Sequence, residues 1–241
     1  MALTFPLAGF DLETTAADPE MARIVQLGLG RSTGPGDWAV QATLVDPGIP
    51  IPEEATKIHH ITDAMVAGGR DETWAARRAM TALYGLWSKG GVVVGTNICY
   101  DFTVLDRACR RAGGPGFQVT GPVLDTYVLD KAVDRYRRGS RKLDATYRHY
   151  TGQEMDGAHD AAADLYAAVK VAQLIVEPTP EIEKRVPGVR MLRSMDMRQL
   201  YVFQQQAYVE QQTSLYEYFQ RSRIEYTPEP MDWPIRPWRE E

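Results

Sequence analysis

Cysteine and long apolar runs are what this sequence has least of. Cys99 and Cys109 are its two cysteines. They have no His or Cys companions nearby, so they do not make a zinc site, and such sparing use fits a reducing compartment in which both are packing residues. No apolar run approaches the ~20 residues needed to span a bilayer. No basic region followed by an apolar core opens the chain, so no signal peptide is expected. The cytoplasm is the expected location, a host's if the gene is carried by a phage. An excess of positive charge is missing too: the net charge of −5 argues against holding long nucleic acid through a broad basic surface. It does not exclude an enzyme acting on nucleic acid, because a carboxylate-rich site makes the bare protein acidic until cations reverse the local charge. Internal repeats and low-complexity segments are absent as well. What remains is a chain of 241 residues with 44% apolar content, enough for one substantial domain with an appendage or two small ones.

The most informative stretch is Gly9-Phe10-Asp11-Leu12-Glu13-Thr14-Thr15, which ends an apolar run from Leu3 to Ala8 and reads as the end of a first strand. Side chains alternate along a strand, so Asp11 and Glu13 share one face while Phe10 and Leu12 point to a core. Two carboxylates side by side repel each other and need a cationic partner, a basic side chain or a divalent metal. No Lys or Arg lies close in sequence on that face.

Further along, Arg23 to Gly30 and Trp38 to Val45 alternate as strands around the turn Gly34-Pro35-Gly36-Asp37, closing an antiparallel meander. A helix is expected over Asp71 to Ser88. Val92 to Gly95 is a short apolar strand of the kind buried on both faces, and Tyr100 to Arg111 reads as the helix after it. Pro122 to Thr126 makes a fifth strand, and Asp160 to Glu177 an alanine-rich helix. The pattern predicts an α/β domain with a mixed five-stranded sheet flanked by helices over residues 1–178. Residues 179–241 follow as a C-terminal helical extension with a Pro/Trp-rich tail.

Two places could supply acidic partners for Asp11 and Glu13. Asp101 follows the buried strand, at the mouth of the sheet where α/β sites form; it reads equally as a helix N-cap. Asp164 lies in His159-Asp160-Ala161-Ala162-Ala163-Asp164. Helical residues five apart point about 140° from each other, so His159 and Asp164 converge only if His159 precedes the helix, with Asp160 as its cap.

In this order, Phe10-Asp11-Leu12-Glu13-Thr14-Thr15, then Asn97-Ile98-Cys99-Tyr100-Asp101, then His159 with Asp164, the motifs resemble the DEDDh (DnaQ-like) family of 3′–5′ exonucleases, which includes the proofreading epsilon subunit of bacterial DNA polymerase III. Ile58-His59-His60-Ile61-Thr62 and Leu124-Asp125-Thr126 add to the likeness, which covers roughly residues 3 to 177. One departure is Thr96-Asn97, where relatives commonly carry His-Asn.

The resemblance implies a ribonuclease-H-like fold, with Asp11, Glu13, Asp101 and Asp164 as ligands of two divalent cations, Mg²⁺ or Mn²⁺, and His159 as general base. Hard oxygen ligands suit those ions, and a His titrating near pH 6.5 suits the base. His60 and His149 read as packing or surface residues, and Asp125 as structural. Thr14, Thr15, His59 and Asn97 are expected on the substrate side, Asn97 fixing local backbone rather than touching metal. Arg137 and Arg138, in the basic segment Lys131 to Arg148, are expected to meet phosphates of the incoming strand, the alternative being a solvated loop.

The resemblance implies a 3′–5′ exonuclease on DNA, single-stranded by expectation, in proofreading, repair or end-trimming. An exoribonuclease or oligoribonuclease keeps the same chemistry on RNA, and an inactive nucleic-acid-binding scaffold is the reading of another class. The sequence contains no polymerase domain, so proofreading would be done for a polymerase in trans. Gln212-Thr213-Ser214-Leu215-Tyr216 is similar to peptides that bind bacterial sliding clamps. Those peptides bind extended, whereas this one sits within an expected helix, which argues against clamp binding.

Overall fold

The structure, a computed structural model, describes residues 6–34, 37–156, 161–228 and 230–238. Among these residues the strands β1 (Leu7–Thr14), β2 (Ile24–Gly34), β3 (Asp37–Asp46), β4 (Arg70–Asp71), β5 (Val92–Gly95) and β6 (Val123–Asp125) form one mixed sheet in the order β4-β3-β2-β1-β5-β6. β1, β2 and β3 are antiparallel neighbours, whereas β5 and β6 run parallel to β1. The expected five strands are therefore corrected to six. The extra one, β4, is two exposed polar residues paired with the end of β3, too short to leave an alternating pattern.

The alternation in β1 and β5 builds two cores. Phe10, Leu12 and Val93 join one cluster on one side of the sheet, and Leu7, Val92 and Val94 join another on the opposite side. This explains the uninterrupted valines: a strand buried on both faces has no solvent side to mark with polar residues. Burying each such side chain stabilises by about 1.5–3 kcal/mol relative to exposure.

The first core is closed by α3 (Glu72–Trp87) and α4 (Ile98–Arg111). Asp71 starts α3 by accepting the Trp74 N–H at 2.7 Å; Ala75, Ala76, Ala79, Leu83 and Trp87 then recur on its inner face. The second core is closed by α7 (Ala161–Val176). Two short helices, α1 (Glu53–His59) and α2 (Asp63–Val66), follow β3. After β6 come α5 (Thr126–Val133) and α6 (Leu143–Thr151).

Beyond α7 the chain continues through α8 (Pro180–Arg185) and a 3-10 turn to the long helix α9 (Met197–Arg221). Asp196 and Gln199 form a capping box at the start of α9. Gln204 of α9 is fully buried against the edge strand β6, where its carboxamide accepts from the Asp125 N–H at 2.7 Å and donates to the Val123 carbonyl at 2.9 Å. A side chain thus completes a sheet edge that would otherwise expose unpaired backbone groups. No described helix is long and apolar enough to cross a membrane.

Candidate active site

The sheet register places the acidic residues. Asp11 and Glu13 alternate with the buried Phe10 and Leu12 and are themselves half-buried. They face the side on which α7 packs. That helix comes close because Asp11 lies opposite Gly28, and Gly9 opposite Gly30. A Cβ on Gly9 would stand 3.0 Å from Leu165 Cδ2, and one on Gly28 would stand 3.2 Å from both Leu165 Cδ1 and the Asp11 carbonyl. Leu165 of α7 therefore rests on bare backbone, and the residue before it, Asp164, is delivered beside the two acids of β1. The alternation Leu27-Gly28-Leu29-Gly30 was the sequence signal for this approach, since glycine inside a strand marks close contact with another element.

Asp101 arrives from the other side. β5 pairs with β1 only as far as Gly9. Beyond that point α4 takes over, and Asp101 Oδ1 accepts the Leu12 N–H at 3.0 Å. Asp101 is thus no N-cap. It is buried in the first turn of α4, tied to the residue that separates Asp11 from Glu13. Asn97 takes the N-cap position in the left-handed conformation, with an exposed side chain. Its backbone N–H donates to Asp125 Oδ1 at 2.9 Å.

The electrostatics follow from this convergence. Burial, then the charge of Asp164, pushes the Asp11 carboxyl up to about 6. Burial, then Asp11 and Asp164, pushes Glu13 up to about 8. Burial and the charge of Asp11 hold Asp101 well above the ordinary carboxylate range. Among the described residues, no three His, Cys, Asp or Glu side chains close on a single point as a ready-made metal cage. The four acids stand in electrostatic contact rather than in a finished coordination shell. Their donor set, carboxylate oxygens that raise one another's proton affinity, suits hard divalent cations.

The remaining expected residues are placed as follows. Thr14 is half-buried, and its hydroxyl bonds to the Tyr100 hydroxyl and, at 3.2 Å, to the Ala16 carbonyl. Tyr100 also donates to Ala16, and burial raises its pKa to about 12. This Tyr100 clamp on the end of β1 was not singled out from the sequence. Thr15 is buried: its hydroxyl accepts the Arg23 N–H at 3.0 Å and its amide donates to the Arg23 carbonyl, so both groups hold the strand end. His59 is buried with Nδ1 accepting from the Ile61 N–H, while its Nε2 is buried without a hydrogen-bond partner among the described residues. Burial lowers its pKa, and the nearby Thr14 carbonyl partly offsets that shift. His159 lies outside the described residues, as does the Asp160 cap.

Arg137 departs from expectation. Its guanidinium donates to the buried Asp130 at 2.7 Å and to Thr146, and Arg141 shares the same carboxylate. An arginine so engaged does not stand free to meet phosphate. Arg138, its neighbour, is exposed. Gln212 to Tyr216 lies inside α9, so this stretch is not an extended clamp-binding peptide here.

Asp125 is structural. Fully buried, it accepts N–H groups from Asn97, Ile98, Tyr127 and Val128, and the indole N–H of Trp233. Burial raises its pKa, and the surrounding donors, that indole among them, pull it back.

Comparison with known proteins gives consistent findings. The RNase_T exonuclease family matches residues 8–172. A DNA polymerase III subunit epsilon-like protein of Rhodobacter capsulatus is 33% identical over 187 residues, 76% of this chain and 25% of that protein. A PolC-type DNA polymerase III of Lacticaseibacillus paracasei is 28% identical over 158 residues, 66% of this chain and 10% of that protein. The chain therefore spans a quarter or less of these two relatives. E. coli Exonuclease I, solved in complex with a dT13 oligonucleotide, shares the fold with a TM-score of 0.60 at 19% identity, covering 76% of this chain and 43% of that one.

Proposed function

This chain belongs to the RNase_T exonuclease family, and from that premise we propose that it is a metal-dependent 3′–5′ exonuclease acting on single-stranded DNA. The observation that carries the reading is the meeting of four carboxylates from β1, α4 and α7 at one end of the sheet, each described shift raised by burial and by its acidic neighbours. Asp11, Glu13, Asp101 and Asp164 would hold two divalent cations, Mg²⁺ or Mn²⁺. When bound, such ions supply Lewis acidity and offset the charge that builds up on the phosphoryl oxygens.

The residues divide the remaining work. His159 takes the proton of the attacking water. The bond from phosphorus to the 3′ oxygen of the penultimate nucleotide breaks, that nucleotide keeps the oxygen, and a 5′-mononucleotide leaves. Tyr100 and Ala16 fix Thr14 beside the terminal nucleotide, and Asp101 is kept in register with β1 by the Leu12 amide. Exonuclease I's complex with dT13 favours single-stranded DNA as substrate, and the polymerase III relatives favour a polymerase as partner in trans. The 1–178 unit would carry the chemistry, and the 179–241 extension would pack on it.

The test uses 3′- and 5′-labelled single-stranded DNA and RNA with Mg²⁺ or Mn²⁺, comparing wild type with Asp11→Ala. Metal-dependent shortening from the 3′ end of DNA, lost in the variant, is the expected result. Absence of shortening on both substrates would overturn the proposal, and preference for RNA would redirect it to the exoribonuclease reading.

A further inference from the structure

The 231–238 segment runs along the outer side of α4, the helix that carries Asp101. Cys99 Sγ meets the Asp232 carbonyl at 3.6 Å. The Arg236 amide donates to Thr103 Oγ1 at 3.1 Å. Arg107 donates to the Arg236 and Pro237 carbonyls at 3.2 and 3.0 Å, and the Trp238 ring lies against Arg107 and Arg110. Cys99, Thr103 and Arg107 are four residues apart, so they form one ridge of the helix. Asp101 sits about 200° around the axis from both Cys99 and Thr103, facing β1. The helix is thus held between the C-terminal segment on one side and the Leu12 amide on the other.

Trp233 is where this segment reaches the start of α4. Its indole N–H donates to Asp125 Oδ2 at 3.3 Å, and that same oxygen accepts the Ile98 N–H at 3.1 Å. α9 holds the ring in place: Tyr201 packs against it at 5.2 Å between centroids, and Gln205 donates to the Trp233 carbonyl at 3.3 Å. We infer that Trp233 is a positioning residue for Asp101, fixing the first turn of α4 through Asp125 so that the C-terminal segment is a working part of the candidate active site. The inference rests on the reading of Asp101 as a metal ligand.

The chemistry of the link is specific. Without the indole donor, Asp125 Oδ2 keeps only the Ile98 amide of α4, and the carboxylate, still held at Oδ1 by Asn97, Tyr127 and Val128, pivots about that oxygen. Asn97 and Ile98 turn with it, and Asp101, one turn later, loses its register with Asp11 and Glu13. A covering role alone would require the bulk of the ring but not its N–H.

The experiment compares Trp233→Phe, Trp233→Ala and Trp238→Ala in the full chain, reading Mn²⁺ affinity by calorimetry, hydrogen exchange of the Asn97 and Ile98 amides, and kcat and KM on single-stranded DNA. Trp233→Phe, which keeps the ring, is expected to weaken Mn²⁺ binding about tenfold, as loss of a group orienting a metal ligand does. It should lower kcat in parallel, leave KM unchanged and speed exchange at both amides. Trp238→Ala, at the far end of the segment, is expected to lower thermal stability without moving Mn²⁺ affinity. Wild-type Mn²⁺ affinity, kcat and amide exchange in Trp233→Phe would overturn the inference, even if Trp233→Ala fails to fold. If Asp101→Asn alone loses Mn²⁺ binding, the inference falls while the assignment of Asp101 stands. If the wild-type chain neither binds Mn²⁺ nor cleaves DNA, the proposed function falls and takes the inference with it.

Discussion

Two buried aspartates stand at helix starts along the same end of the sheet, and they are held in opposite ways. Asp125 ends β6 and accepts four backbone N–H groups and an indole N–H, so its charge is satisfied by the fold. Asp101 follows β5, accepts the Leu12 amide, and otherwise faces the acids Asp11 and Glu13. Hydrogen bonds to a carboxylate stabilise its charged form, whereas neighbouring carboxylates oppose it. A buried acid surrounded by donors is a structural joint. A buried acid surrounded by acids is a position that a cation would stabilise.

The largest effect that tests this contrast is Asp101→Asn. Its side-chain oxygen can still accept the Leu12 N–H, so the fold is expected to hold, and loss of charge repulsion should leave thermal stability in chelator unchanged or higher. Activity should drop roughly a thousandfold, since a bound cation is worth several kcal/mol to the transition state and each ~1.4 kcal/mol is a factor of ten. Melting curves and single-turnover cleavage, run on one preparation, check both halves. A variant that unfolds but cleaves normally per folded molecule would erase the distinction.

Asp125→Asn should give the reverse. An amide NH₂ cannot accept, so donors now meeting one carboxylate oxygen are left facing another donor. Two such losses cost about 3 kcal/mol, or a fall of roughly 10 °C in Tm for a chain of this size. Below that temperature Mn²⁺ should still bind, weakened about tenfold as in Trp233→Phe because the same anchor of α4 is disturbed. Equal losses of stability in the two variants would show that the two aspartates do the same job.

The contrast was only partly legible in the sequence. β1 and β5 were readable because burial imposes a local pattern, alternating where one face is polar and uniform where both are covered. The first two acidic motifs were readable for the same reason, since Asp11 with Glu13 and Asp101 sit at or just past the ends of such patterns, whereas Asp164 lies in the first turn of an alanine-rich helix. The partner of Asp101 was not, because Leu12 lies 89 residues away and contributes only a backbone amide, which no side chain advertises. Trp233 and Arg236 reach Asp125 and Thr103 across still longer separations, and such contacts leave no periodic trace. Arg137 and Arg138 are chemically identical neighbours; only the fold, by placing Asp130 against the first, tells a joint from a surface charge.

A smaller effect should come from the contact that brings Asp164 to the strand. Gly9→Ala places a methyl 3.0 Å from Leu165 Cδ2 and 3.2 Å from the Leu165 carbonyl, so α7 must shift by a few tenths of an ångström. Asp125 lies on β6, and its donors come from α4, α5 and the C-terminal segment rather than α7, so they should not feel it. The expected outcome is about a tenfold loss of kcat, of the order seen when a group supporting a metal ligand is disturbed, with a modest fall in Tm and an unchanged response to Asp125→Asn. A wild-type kcat would mean that the glycine serves packing alone.

The smallest effect is a pH dependence of stability, and its sign reports the burial and mutual repulsion of the acids on β1. Asp11 and Glu13 have folded-state values raised to about 6 and about 8 by burial and by their acidic neighbours, above the ~4 of an unfolded chain. Between those limits the folded state binds more protons than the unfolded one, so stability is full near pH 4 and declines as pH rises towards 8. Cations held by these acids compete with the protons and oppose the decline. Melting temperatures measured with EDTA should therefore fall by a few degrees from pH 5 to pH 8, while those measured with Mn²⁺ stay level or rise. Replacing Glu13 with Gln should flatten the EDTA curve at its upper end, because the group titrating near 8 is gone. A curve in EDTA that rises with pH would mean that donors, not acids, surround β1's carboxylates.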